Sequence, residues 1–277
     1  MRAAFRYWEA GMQGIADYRF VRSLGEGAHG TFYLAVPPAR LGLSAEHVAV
    51  KVLQGNTDEE TIRRTTRELR AFASAASPYL VTLYDAGQQD GSFFYAMEYF
   101  PQGSLAAPAS PLSRPQVLTA VAQASRAAHA LHEAGVVHRS IKPENILLHP
   151  DGARLSDLGL AQALAAGQTV TGLGPIGTVE YLEPAILLGQ RGSRASDIWS
   201  LGITLHRALT GTGVYGELSS SDPLLAVRTV LSTKPVLSPA LDPRDAALIA
   251  QTLSPEPADR PQDAQMLAEA LEALASS

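Results

Sequence analysis

The chain has 277 residues, 46% hydrophobic and 18% charged, the proportions of an ordinary soluble core, with length for one large domain or two lobes sharing a cleft. A net charge of −5 offers no broad basic field for nucleic acid or an anionic membrane, and the absence of cysteine excludes disulfides, thiolate metal sites and thiol nucleophiles. No apolar run approaches the roughly 20 residues of a spanning helix, and the first 20 residues lack a signal-peptide pattern, so a cytoplasmic protein with no membrane segment is expected.

In chain order, residues 1–16 carry Phe5, Tyr7, Trp8 and Met12 and admit two readings, a short helix docked by its aromatics or a mobile arm. Short β-rich runs punctuated by Gly and Pro predict strands at Tyr18–Leu24, Thr31–Val36 and Glu46–Gln54. One helix follows at Asp58–Ala75, its early Asp58 and Glu59 suiting the helix dipole. Two further strands are predicted at Leu80–Asp85 and Phe93–Phe100. Beyond Pro101–Ser104 the pattern turns helical: Val117, Val121, Ala124, Ala128 and Leu131 recur at 3–4 residue spacing within Arg114–Ala134. Further helices read at Arg194–Thr210, Pro223–Leu231, Pro243–Leu253 and Pro261–Ala275. This divides the chain into an extension at 1–16, a sheet-rich lobe at 17–100 and a helical lobe at 101–277.

Chemistry concentrates in four places. Gly25, Gly27 and Gly30 form a GxGxxG between two predicted strands, where bare backbone N–H groups can lie over a triphosphate. A dinucleotide-binding loop would instead run into a helix. Lys51 ends the run Val48-Ala49-Val50, which reads as buried, and a buried ammonium needs a partner; Glu68 on the next helix is the natural candidate. Then come Val137-His138-Arg139-Ser140-Ile141-Lys142-Pro143-Glu144-Asn145 and, twelve residues on, Asp157-Leu158-Gly159.

In this order and spacing the set resembles the eukaryotic-like (Hanks-type) Ser/Thr protein kinases of bacteria, over about Tyr18 to Ala275. Gly177-Thr178 before Tyr181, the run Asp197–Gly202, and Asp259-Arg260-Pro261 extend the match. The resemblance implies an α+β, bilobal protein-kinase-like fold with a small β-rich lobe and a larger helical lobe. It implies ATP and Mg²⁺ as ligands: Lys51 on the α- and β-phosphates and paired with Glu68, Asn145 and Asp157 on the metal. Met97 would then back the adenine pocket, with Glu98-Tyr99 as the hinge. By the same resemblance His138 is structural, Asp197 braces the catalytic loop, Thr178 contacts that loop, and Lys142 assists transfer.

The sequence departs from the family at three points. Ser140 stands where the catalytic loop has an Asp that accepts or steers the proton of the attacking hydroxyl. A neutral Ser offers a hydrogen bond but no charge. General acid–base groups contribute about 10²–10⁴-fold, so family rates of about 1–100 s⁻¹ fall to on the order of 10⁻⁴–1 s⁻¹. Glu183-Pro184-Ala185 replaces the usual Ala-Pro-Glu, whose Glu pairs with the arginine matching Arg260. A buried arginine without its partner costs about 3–5 kcal/mol, so Arg260 is expected to find Glu183, another acceptor or solvent. Phe32 replaces the usual Val, either covering the adenine or packing.

Other polar residues have ordinary readings. His129 and His132 lie at helical spacing without a third ligand nearby, which favours surface or satisfied core over a metal site. Phosphorylation at Thr169, Thr171 or Thr178 would act through Arg139, although most loop hydroxyls are merely solvated. Arg63, Arg64, Arg67 and Arg70 read as a wet face balancing Asp58, Glu59 and Glu60, with a partner-docking edge as the sharper alternative. The expectation is a pseudokinase: an ATP·Mg²⁺-responsive scaffold or allosteric regulator in signalling, acting on an unknown protein partner. A slow, active Ser/Thr kinase is the first alternative. The second is a nucleotide-independent interaction module, marked by Phe32 or His29 lying in the adenine pocket.

Overall fold

The computed structural model describes residues 14–27, 30–53, 59–157, 176–219 and 222–277. The N-terminal aromatics, His29, Asp58, Leu158-Gly159, Thr169 and Thr171 lie outside the described residues, as do the side chains of Glu59, Glu60 and Arg64. The described residues fall into two compact units, one drawn from positions up to 67 together with 82–99, the other from 68–81 together with positions from 100 onward.

The first unit is built on a six-stranded antiparallel sheet in the order β1-β2-β3-β4-β6-β5. The strands are β1 (Gly14–Ile15), β2 (Tyr18–Gly27), β3 (Gly30–Val36), β4 (Val48–Leu53), β5 (Leu83–Gln89) and β6 (Ser92–Glu98). Period-2 alternation sends Val48, Val50 and Val52 to one face, where they join Ile15, Tyr18, Ala35, Phe94 and Ala96 in a single apolar cluster. Phe20 and Tyr33 cap that cluster with rings stacked 4.0 Å apart. At its edge, Arg40 bonds both Asp17 and Asp85 while the Tyr18 hydroxyl donates to Asp85, 2.9 Å. Ala49, Lys51 and Leu53 face the other way. Gly14 and Ile15, within the span read from sequence as docked helix or arm, pair with β2 as a strand.

Helix α1 (Glu59–Ser74) follows β4. The strand expected from Leu80 starts at Leu83 instead, because Leu80 and Val81 are taken by another partner. Leu80 bridges Leu155, Leu155 N–H donates to Tyr79 O at 2.8 Å, and Val81 N–H donates to Leu155 O at 3.1 Å.

The second unit packs helices against a small sheet of order β10-β9-β7-β8, made of β7 (Gly103–Ser104), β8 (Ala107–Pro108), β9 (Ile146–His149) and β10 (Gly152–Leu155). None of these four was expected from sequence; strands of two to four residues carry too little pattern to register. The helices are α2 (Arg114–Glu133), α3 (Pro184–Leu187), α4 (Arg194–Thr210), α5 (Pro223–Ser232), α6 (Pro243–Thr252) and α7 (Ala264–Ala275). Helix α2 opens with a Ser113–Gln116 capping box and Pro115 in its first turn, and it buries an alanine-rich face. Two bidentate arginines fasten it: Arg114 to buried Asp245 of α6 and Arg126 to Glu272 of α7, all at 2.7 Å. Helix α4 is buried from Ser196 to His206 and forms the centre of this unit. No helix among the described residues is long and apolar enough to cross a membrane.

Candidate functional site

In the first unit the glycine-rich segment is the hairpin of β2 and β3, with Gly27 paired to Gly30. Gly25 has φ +135, a conformation that L side chains rarely adopt. Gly30 answers a different demand: a Cβ there would stand 2.4 Å from Val52 O, so the hairpin base can lie against β4 only without a side chain. The register then sets one row across the sheet, Gly25–Phe32–Lys51–Tyr95, each residue directly opposite the next. Lys51 is 3% exposed, with its ammonium 4.8 Å from the Phe32 ring centre and 5.9 Å from that of Tyr95. The neighbouring row carries Leu34, Ala49 and Met97, so Met97 shares the face of Lys51. Glu98 N–H donates to Thr82 O, and the Tyr99 hydroxyl accepts from Arg22.

In the second unit the catalytic-loop sequence hangs on one buried carboxylate. Asp197, fully buried on α4, accepts from the backbone N–H of His138 and of Arg139, each at 2.8 Å, and from His132 Nε2 at 2.8 Å. Ser193, bonded to Ser196 N–H, caps α4 and starts the helix so that Asp197 sits in its first turn. His132 is therefore a buried core histidine tied to Asp197, and Asp197 braces the loop. His138 is fully buried; its Nε2 meets Ser156 O at 3.1 Å and its Nδ1 accepts from Ser140 N–H at 3.3 Å. Burial holds its pKa below the usual histidine value, which keeps the ring neutral and structural.

Ser140 follows on this frame. Asn145 Nδ2 donates to Ser140 O at 2.7 Å and to Ser140 Oγ at 3.1 Å. The amide nitrogen is thus spent on the loop, and the amide oxygen is the atom left for a cation. Ser156 ties the next element in: its N–H and Oγ both donate to Asn145 O, at 2.8 and 3.1 Å, which sets Asp157 beside the loop. Asp157 has φ +58 and Arg139 φ +66, the left-handed region that non-glycine residues enter at a cost of order 1–2 kcal/mol. Such strain collects where side chains must be aimed. The Asn145 amide oxygen and the Asp157 carboxylate are hard oxygen donors of the kind that would hold a Mg²⁺.

Lys142 Nζ donates to Thr178 Oγ1 at 3.3 Å, joining the loop to the segment Ile176–Tyr181. Arg139 lies 3.8 Å from Glu68 within the same unit. The Arg260 side chain is 1% exposed and donates to Glu183 at 2.6 Å, Ser254 O at 2.9 Å and Ala195 O at 3.0 Å, with its guanidinium 5.1 Å from the Trp199 ring. Glu183 therefore occupies the role that the order Glu-Pro-Ala seemed to have removed. Sequence reasoning missed Tyr95 and Ser156. Tyr95 stands two residues before Met97, so period-2 alternation puts both on one face, but the all-apolar run Phe93–Met97 hides which face that is. Ser156 offered only its position before Asp157.

A β-rich sheet unit followed by a helical unit, with a glycine-rich hairpin, a sheet lysine and an Asp-braced loop bearing Asn and Asp, defines a protein kinase architecture. The chain belongs to that family: the protein kinase domain model matches residues 18–271. It is 34% identical over 94% of its length to a probable serine/threonine-protein kinase, pknA2, of Bifidobacterium longum, and 34% identical over 93% to the serine/threonine-protein kinase PknA of Mycobacterium tuberculosis. It spans 35% and 61% of those two relatives. The kinase domain of Mycobacterium tuberculosis PknI superposes with a TM-score of 0.70 at 25% identity, covering 97% of this chain and all of that one.

Proposed function

We propose that this domain is a pseudokinase of the Ser/Thr protein kinase family, binding ATP with Mg²⁺ but lacking the general base for phosphoryl transfer, and acting through a protein partner. One observation carries the reading: where the family has a carboxylate, Ser140 Oγ is a neutral group held by Asn145 Nδ2 at 3.1 Å. An uncharged hydroxyl cannot take the proton of an attacking alcohol at neutral pH. Elsewhere in the chain the supporting groups persist. Lys51 is the residue for the phosphates, and Asn145 Oδ1 with the Asp157 carboxylate would hold the cation, which when bound neutralises phosphate charge. Asp197, His138 and Ser156 keep those donors aimed.

The test is a thermal titration with ATP and Mg²⁺. ATP at about 100 times its Kd raises stability by about 2.7 kcal/mol, and Lys51→Met removes that gain. No shift at millimolar nucleotide overturns the binding half. Radiolabel transfer from γ-labelled ATP to protein examines the other half, and turnover at ordinary kinase rates overturns it. A second reading, a slow active kinase, draws support from the Lys142–Thr178 contact at 3.3 Å, which keeps the loop cation in place. Slow transfer abolished by Lys51→Met and by Asp157→Ala would favour that reading.

A further inference from the structure

Phe32 departs from the family and lies in direct contact range of the lysine on which nucleotide binding rests. The register places it straight across from Lys51, and Tyr95 straight across on the other side. An ammonium 4.8 Å from one ring centre and 5.9 Å from another is drawn to the negative faces of both. Burial to 3% strengthens that attraction by thinning the competing water. The neighbouring Tyr33 turns to the core face and stacks on Phe20, whereas Phe32 stays half-buried on the face of Lys51. The row also leaves the ring somewhere to go. On its far side stands Gly25, with no described atom within 4 Å of where a Cβ would be.

We propose that Phe32 is a displaceable aromatic cover on Lys51 that sets nucleotide affinity: an anionic phosphate and the ring compete for one ammonium, and binding moves the ring toward Gly25. This inference deepens the nucleotide reading and rests on it. The competition is electrostatic, so it acts on the phosphates and not on the base. Removing the ring face is expected to tighten ATP binding by about 2- to 30-fold, the range of cation–π attraction from exposed to desolvated sites.

The experiment measures Kd by calorimetry for ATP with Mg²⁺ and for adenosine, on this chain and on Phe32→Val, Phe32→Leu, Phe32→Tyr and Lys51→Met. The expected result is tighter ATP binding in Phe32→Val and Phe32→Leu, wild-type affinity in Phe32→Tyr, and unchanged adenosine affinity throughout. Nucleotide binding by Phe32→Val alone, with none by the parent, also supports the cover. Weaker binding of both ligands in Phe32→Val overturns the proposal, because the ring would then be packing on the base. Unchanged ATP affinity overturns it too, and if Lys51→Met still abolishes binding the nucleotide reading survives that failure. No ATP binding by any variant overturns both. Phe32→Leu keeps the apolar bulk, so it carries the comparison should Phe32→Val fail to fold.

Discussion

The row around Lys51 and the loop around Ser140 have departed from their family in opposite ways. In the row the charge is kept and its surroundings changed: Lys51 remains, and Phe32 brings a ring to its ammonium. In the loop the surroundings are kept and the charge lost. Asp197 still accepts from both loop amides, His138 still meets Ser156, and Asn145 still spans the turn, while Ser140 has no carboxylate. The difference teaches that the shape of this loop is held by α4 and by the strand before Asp157, without a carboxylate at position 140.

The largest expected effect sharpens that contrast. If the frame is whole, restoring one charge is sufficient, and Ser140→Asp raises phosphotransfer to a peptide hydroxyl by about 10²–10⁴-fold, read by radiolabel incorporation. An unchanged rate would mean that the frame itself is deficient. Next comes the brace at Arg260, which sits in the same unit as the loop. Glu183→Ala strands a buried guanidinium and costs about 3–5 kcal/mol by chemical denaturation. Adding Ala185→Glu, which restores the family order Ala-Pro-Glu, is expected to recover more than half of that loss. No recovery would show that Glu183 reaches Arg260 by a path that position 185 cannot share.

The smallest effect concerns protons. His138 and His206 both have pKa values lowered mainly by burial. His206 is bonded on both nitrogens, to Thr212 O and to Ser238 N–H, which requires a neutral ring. Each has a lower pKa folded than unfolded, so the unfolded chain binds more protons. Their contribution is complete above the unfolded value near 6.5 and is lost as pH falls below it, by up to about 1.4 kcal/mol per histidine per pH unit. The unfolding midpoint should drop between pH 7 and pH 5. A flat profile over that range would remove these two rings from the frame.

The large helices and central strands were legible because their apolar residues repeat at 3.6 or 2, and the kinase motifs were legible because their order is so constrained. What escaped has a physical reason in each case. The hairpin Gly103–Pro108 is too short to carry a period. Leu80 is apolar and buried as a strand residue would be, yet its backbone forms an isolated bridge to Leu155. The cover on Lys51 needed the register of three strands, and a list of residues does not contain a register. Arg260 and Glu183 could be named in advance as candidates for one another, but only distance separates that pair from the other acceptors within reach.

The pairing of Arg260 with Glu183 bears on how degenerate family members are sorted. Ala185 stands where the family order has its glutamate, yet an anion still reaches the buried guanidinium from two positions upstream. Motif spelling and charge placement are separable inheritances here, and a census of relatives that weighs spelling alone will count intact anchors as ruins.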